Sequence, residues 1–219
     1  MSSSCKQPWA DAPFQLISTP FGDKDLSAGK AHGSQYIAQQ MVHLHNCILR
    51  LLNSIYNQAL HVKSPEDVRD FLAYVKHWHD ELQHHHTVEE EFFFPALEAL
   101  GGQKGSMEGN VAQHDAFEPG LDALGKYAVS TSVDEYDGQK LRSIIDSFGE
   151  ILTTHLADEI PTLLSLEKCD DSAIRKIWAD TSKHVQKTAD FVRHTFYISP
   201  KKCTDKHAVR ATTHVHGLF

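Results

Sequence analysis

The sequence has no run of about 18 apolar residues, so no membrane-spanning helix is expected. Its first residues, Met1 to Pro8, include no apolar stretch of the kind that opens a secretory leader. The chain therefore reads as a cytoplasmic protein with reduced thiols. Cysteine is scarce: Cys5, Cys47, Cys169 and Cys203 are far apart and form no C-x-x-C pair. That spacing fits neither a zinc finger nor a dense disulfide framework. Positive charge is also in short supply, with 21 Lys and Arg against 29 Asp and Glu and a net charge of −8. Such a balance argues against nucleic acid as a partner. There is no glycine-rich phosphate loop, dinucleotide motif or nucleophilic triad. Strand-like alternation is nearly absent, and no period of 20 to 50 residues repeats. The chain's 219 residues suffice for one generous domain or two small ones. Histidine, in contrast, is abundant at sixteen copies. That number directs attention to metal binding or proton handling.

Three regions are expected. Residues 1–33 form an irregular arm, because Pro8, Pro13, Pro20, Gly22 and Gly29 oppose regular structure. Its Trp9, Phe14, Leu16, Ile17 and Phe21 are too apolar for a free tail and imply docking on the main body. Residues 34–168 carry four long helical patterns. The first spans about Ser34 to Leu60. The second starts at Ser64, an N-cap followed by Pro65 in the first turn, and ends before Gly101. The third spans about Met107 to Ala128, with Pro119 perturbing it. The fourth runs from about Val133 to Leu166, with Pro161 predicting a kink near Ala157. Residues 169–219 hold a weaker helix over Ser172 to His194 and a loose basic tail. The expected fold is all-α, an antiparallel four-helix up-down bundle with an extra C-terminal helix.

The apolar stripes of these helices contain the chemistry. Each has a histidine on its inward line: His45, His85, His114 and His155. Three are followed four residues later by a glutamate on the same face: Glu89, Glu118 and Glu159. Composition alone gives about one His-x-x-x-Glu pair. The sequence has five, at 77/81, 85/89, 86/90, 114/118 and 155/159. Buried carboxylates need partners. Imidazoles and carboxylates together suit iron or manganese, and zinc less well, because seven ligands exceed what one tetrahedral ion uses. The ferritin-like alternative fails, since Glu81 and His84 supply the only Glu-x-x-His.

Two registers need a choice. His85 and Glu89 share the stripe of Trp78 and Leu82, whereas His86 and Glu90 lie about 100° around the helix. In the first helix the stripe through His43 is mixed and polar, and that through His45 is apolar. His85/Glu89 and His45 are therefore preferred. Asp80, Asp115 and Asp158 are candidates to orient ligand imidazoles. Cys47 reads as a small buried residue.

The segments His45-Asn46, His85 to Pro95, His114 to Glu118 and His155 to Glu159 resemble the hemerythrin-like family, also called HHE cation-binding domains. The likeness covers roughly residues 34–168, and fungal hemerythrin-like proteins are especially similar. The resemblance implies two non-heme iron ions in a four-helix bundle, held by His45, His85, Glu89, His114, Glu118, His155 and Glu159. It also implies dioxygen or another small oxidant as partner. One departure stands out. Oxygen-carrying members have a second histidine on the third helix where this chain has Glu118, which argues against reversible oxygen carriage. Three functions stay open: oxygen binding, sensing or iron handling; a di-iron oxidoreductase acting on a small molecule; and a metal-free interaction bundle. Whether the chain is an enzyme, and its oligomeric state, are left open by the sequence.

Overall fold

A computed structural model describes residues 10–102 and 104–188. The expected basic tail and the end of the C-terminal helix lie outside these residues. Among the described residues the regular structure is entirely helical. In chain order the helices are α1 (Gly33–Gln58), α2 (Pro65–Val88), α3 (Phe94–Gly101), α4 (Glu108–Ser130), α5 (Gly138–Asp146), α6 (Gly149–Leu164) and α7 (Asp171–Thr188). Helix α1 packs on α2 and α6, and α4 packs on the same two helices, which closes a ring of four. Helix α7 lies outside the ring against α1 and α3. No helix among the described residues is long and apolar enough to cross a membrane.

The local signals act as expected at several ends. Ser64 caps α2 by accepting a hydrogen bond from the Asp67 amide at 3.1 Å, with Pro65 in the first turn. Gly102 ends α3 at φ 64°, a left-handed position that favours glycine.

Two helix breaks differ from expectation. The fourth pattern is two helices, and the interruption falls at Ser147–Phe148, not near Ala157. Helix α6 continues through Pro161, and α4 likewise runs through Pro119. At the break the Ser147 and Phe148 amides close tight turns onto the Ile144 and Ile145 carbonyls at 3.2 Å. Phe148 leaves helical φ at −132°. Its buried ring stacks on Trp78 at 6.3 Å between centroids. The second difference is a π-helical turn over Glu89–Phe93 between α2 and α3. Pro95 has no amide hydrogen for the Glu91 carbonyl, and widening the helix ahead of it accommodates that loss.

Residues Ala10 to Ile17 dock through side chains of α1; Trp9 lies outside the described residues. Asn53, fully buried, accepts from the Phe14 amide at 2.8 Å and donates to the Ala10 and Phe14 carbonyls, both at 2.9 Å. Asn46, seven residues earlier on the same face, pairs with both backbone groups of Ile17 at 2.8 Å. The Phe14 ring lies over Gly149, where an added Cβ would stand 2.3 Å from it. Asn53→Ala should strip three backbone groups of their partners and cost about 3 kcal/mol in urea unfolding. A change below about 0.5 kcal/mol would contradict this docking.

Cysteine departs from the expectation of reduced thiols. Cys47 is half-buried and disulfide-bonded. Cys169 is free.

The core is two apolar clusters. One gathers Leu49, Leu52, Trp78, Leu82, Phe117, Leu121, Leu152 and Leu156. The other gathers Ile37, Met41, Val42, Phe93, Phe94, Met107, Ile160 and Leu163. Along α1 and α4 the chain passes from the second cluster to the first, and from α2 through the π turn into α3, and along α6, in the reverse order. At or beside each crossing between the clusters stands a histidine: His45, His85 and His86, His114, and His155 next to Leu156.

Candidate metal centre

Helix α1 contributes His45, between Val42 and Ile48. Helix α2 contributes His85 and His86, after Leu82, and Glu89 stands first in the π turn before Phe93. Helix α4 contributes His114, between Met107 and Phe117. Helix α6 contributes His155 and Glu159, around Leu156. His85 is partly buried and the other six are buried. Together they form a polar layer between two apolar cores.

The layer has two groups that share one carboxylate. His86, Glu89, His114 and His155 each offer a ligand atom within 4.8 Å of the others, and so do His45, His85 and Glu89. Glu159 joins the second group, with its Oε2 3.2 Å from His45 Nε2. Glu89 Oε1 lies 3.1 Å from His85 Nε2, and its Oε2 lies 3.7 Å from His114 Nε2.

The outer nitrogens of three imidazoles fix their tautomers. His45 Nδ1 donates to the Leu156 carbonyl at 2.7 Å. His114 Nδ1 faces Glu90 Oε1 at 2.5 Å. His155 Nδ1 faces Gln113 Oε1 at 3.2 Å, and the Gln113 amide is oriented by donating to Asp158 Oδ2 at 2.9 Å. With each Nδ1 protonated, each Nε2 turns a lone pair inward. Thus His114 Nε2 and His155 Nε2 set lone pair against lone pair at 3.0 Å. The Nε2 atoms of His45, His85 and His86 and both oxygens of Glu89 and Glu159 are buried without a hydrogen bond among the described residues. Buried polar atoms left in this state are costly.

A cation at each of the two groups would give these donors a partner, and the donor set fits a metal ion. Two nitrogens held at about 2.1 Å from one ion stand about 3.0 Å apart at right angles and about 3.4 Å apart in a tetrahedron. The 3.0 Å separation of His114 and His155 matches the right-angled case.

The electrostatics agree. Burial holds the His85 and His86 imidazoles well below the ordinary histidine range, and neighbouring imidazoles add to the shift. Burial brings His155 down to about 2, helped by His114 and His45. Burial pushes the Glu89 carboxyl well up, and Glu159 and Glu90 push it further. Below about pH 6.5 an unfolded chain takes up three imidazole protons that the metal-free folded state refuses. The folded state offsets one of these by keeping a proton on Glu89. Stability of the metal-free protein therefore falls as pH falls. Moving from pH 7 to 5.5 should cost about 2 kcal/mol or more in denaturant unfolding. A flat or rising profile would contradict the burial of this layer.

The sequence expectations fare unevenly by position. The structure brings together His45, His85, Glu89, His114, His155 and Glu159, and leaves Glu118 out. Glu118 is exposed, because the buried line of α4 runs His114, Phe117, Leu121 and Leu124, and a residue after Phe117 has turned past it. In its place stands His86, which the choice between registers had set aside. His43 lies outside both groups and pairs with Gln39 at 3.1 Å. Of the candidate orienting aspartates, Asp158 acts on an imidazole of the layer, through Gln113. Asp80 pairs with Lys76 and His79, and Asp115 is exposed. His86→Ala should lower bound metal relative to the wild type, whereas Glu118→Ala should leave it unchanged. Metal analysis of the two purified variants checks this, and the reverse pattern would restore Glu118 as a ligand.

Comparison with known proteins bears on this geometry. Residues 36–166 match the hemerythrin HHE cation binding domain. The chain is 36% identical over 184 residues to "Dimeric xanthone biosynthesis cluster protein R11" of Cryptosporiopsis sp. (strain 8999). That alignment covers 84% of this chain and 70% of the relative. No solved structure matches.

Proposed function

The chain belongs to the hemerythrin HHE cation-binding domain family, and from that premise we propose that it binds two non-heme iron ions in an antiparallel four-helix up-down bundle. The alternating order in which the ring helices traverse the two apolar clusters supports that topology. The observation that carries the metal reading is the 3.0 Å approach of His114 Nε2 to His155 Nε2 while the outer nitrogens of both rings face Glu90 and Gln113. His86, His114 and His155 would hold one ion, and His45, His85 and Glu159 the other, with Glu89 between them. Bound iron in such a site supplies one- and two-electron chemistry toward dioxygen or a peroxide.

The chain's own residues do the rest. Glu90, Gln113 and the Leu156 carbonyl hold the imidazoles in the tautomer that presents Nε2. The two apolar clusters exclude water from both sides of the layer. The resulting function is oxygen binding or sensing, or iron handling. A second reading, oxidoreduction of a small molecule, is favoured by the biosynthetic cluster in which the Cryptosporiopsis relative is named.

An optical spectrum with metal analysis, before and after anaerobic reduction, tests the proposal. About two irons per chain, with charge-transfer bands that bleach on reduction and return in air, are expected. A well-folded protein without iron after purification from iron-supplemented cells would sink it and favour a metal-free bundle. Steady turnover of an organic molecule, and not only reoxidation, would separate the second reading from the first.

A further inference from the structure

A cleft of about 130 Å³ opens between α1, α2 and α7, beside the metal-centre layer. Its walls are largely apolar, with Met41, Leu44, Val88 and Trp178 among them. Phe93 and Trp178 meet edge to face at 5.9 Å and give it an aromatic side. Its inner end is formed by His85 and Glu89. Both oxygens of Glu89 are buried and make no hydrogen bond among the described residues. The cleft is thus continuous with the candidate metal centre and does not merely lie near it. An enclosed apolar cavity of about 150 Å³ in another protein stays dry and takes up benzene. The present cleft is of similar size.

One polar group in the wall has a defined and unmet need. Gln39 Nε2 donates to the Gly22 carbonyl at 3.4 Å, which orients its amide, and reaches His43 Nε2 at 3.1 Å. His43 Nε2 is then the acceptor, and the ring proton sits on Nδ1. His43 lines the cleft, and its Nδ1 is buried without a hydrogen-bond partner among the described residues. A buried donor of this kind is satisfied by a ligand oxygen.

We propose that this cleft binds a small organic molecule of about one aromatic ring carrying a carbonyl or similar acceptor oxygen. The ring packs against Phe93 and Trp178, the oxygen accepts from His43 Nδ1, and the far edge faces His85 and Glu89. The proposal deepens the metal-centre reading and rests on it for what happens to the molecule once bound.

Acetophenone and ethylbenzene, which share a ring and a shape but differ in the acceptor, are suitable probes. Binding is measured by calorimetry on the full chain as isolated, with iron content determined on the same sample. Both probes should saturate one site. Ser182→Phe, which fills the cleft from α7, should weaken both at least tenfold. Val185→Trp serves the same purpose should the first variant fold poorly. His43→Phe should weaken acetophenone about fivefold and leave ethylbenzene within about twofold. Absence of saturable binding to the wild type, or equal binding in the filled variants, would overturn the proposal. Equal losses of both probes in His43→Phe would overturn the role of the acceptor oxygen. Saturable binding to a sample without iron would keep the cleft and remove the metal reading, so the two failures are distinguishable.

Discussion

Glu89→Gln should lose both metal ions. Glu89 is the one residue common to both ligand groups, with one oxygen 3.1 Å from His85 Nε2 and the other 3.7 Å from His114 Nε2. The amide keeps the volume and removes the negative charge that two cations would share. Folding should survive the change. Burial already drives Glu89 toward its neutral form in the metal-free protein, so a neutral amide is a close mimic of that state. Unfolding of the variant is expected within about 1 kcal/mol of metal-free wild type. Iron affinity should fall by more than about a hundredfold, since loss of outer partners alone costs 10- to 100-fold. Glu90→Gln is the matched control. Glu90 is 41% exposed and pairs with the outer nitrogen of His114, so its loss should weaken binding at the lower end of that range. A Glu89→Gln protein that retains two ions would show that this carboxylate does not join the groups.

Removing the metal should destabilise the wild type by about 4 kcal/mol, the linkage expected at a thousandfold saturation. For a chain of this size that corresponds to a fall in Tm of about 10 °C. The cause is local. Without a cation His114 Nε2 and His155 Nε2 face each other at 3.0 Å, and four carboxylate oxygens and three imidazole nitrogens are buried without a hydrogen bond among the described residues. Glu89→Gln should show almost no further loss on chelation, because its site no longer fills. Thermal melts of both proteins with and without a chelator measure this. An identical Tm for loaded and stripped wild type would mean the polar layer satisfies itself.

Much of this arrangement was legible because helix periodicity reports burial directly. The inward placement of His45, His114, His155 and Glu159 follows from the apolar residues three and four positions away. Glu118 shows the limit of that logic. A spacing of four advances 40° beyond a full turn, which is harmless beside one buried neighbour but not beside Phe117 and Leu121, which claim the core line of α4. The same spacing in α2 produced the opposite error. His85/Glu89 and His86/Glu90 looked like competing registers, yet both histidines face the polar layer, one in each group, and Glu90 pairs from outside with His114. Two overlapping His-x-x-x-Glu pairs were the available signal. The break at Phe148 was hidden because its ring lies on the expected stripe, and its contact with Trp78 on another helix is not visible in the sequence. The arm's clips, Asn46 and Asn53, read as ordinary polar residues until the backbone they satisfy is seen.

Anomalous diffraction at the iron edge, on crystals of iron-loaded protein, tests the central claim most directly. The account predicts two peaks about 3.5–4 Å apart, the usual spacing of a paired site. One should lie beside His86, His114 and His155, and the other beside His45, His85 and Glu159, with Glu89 between them. A single peak, a peak near Glu118, or no peak in the polar layer would contradict it.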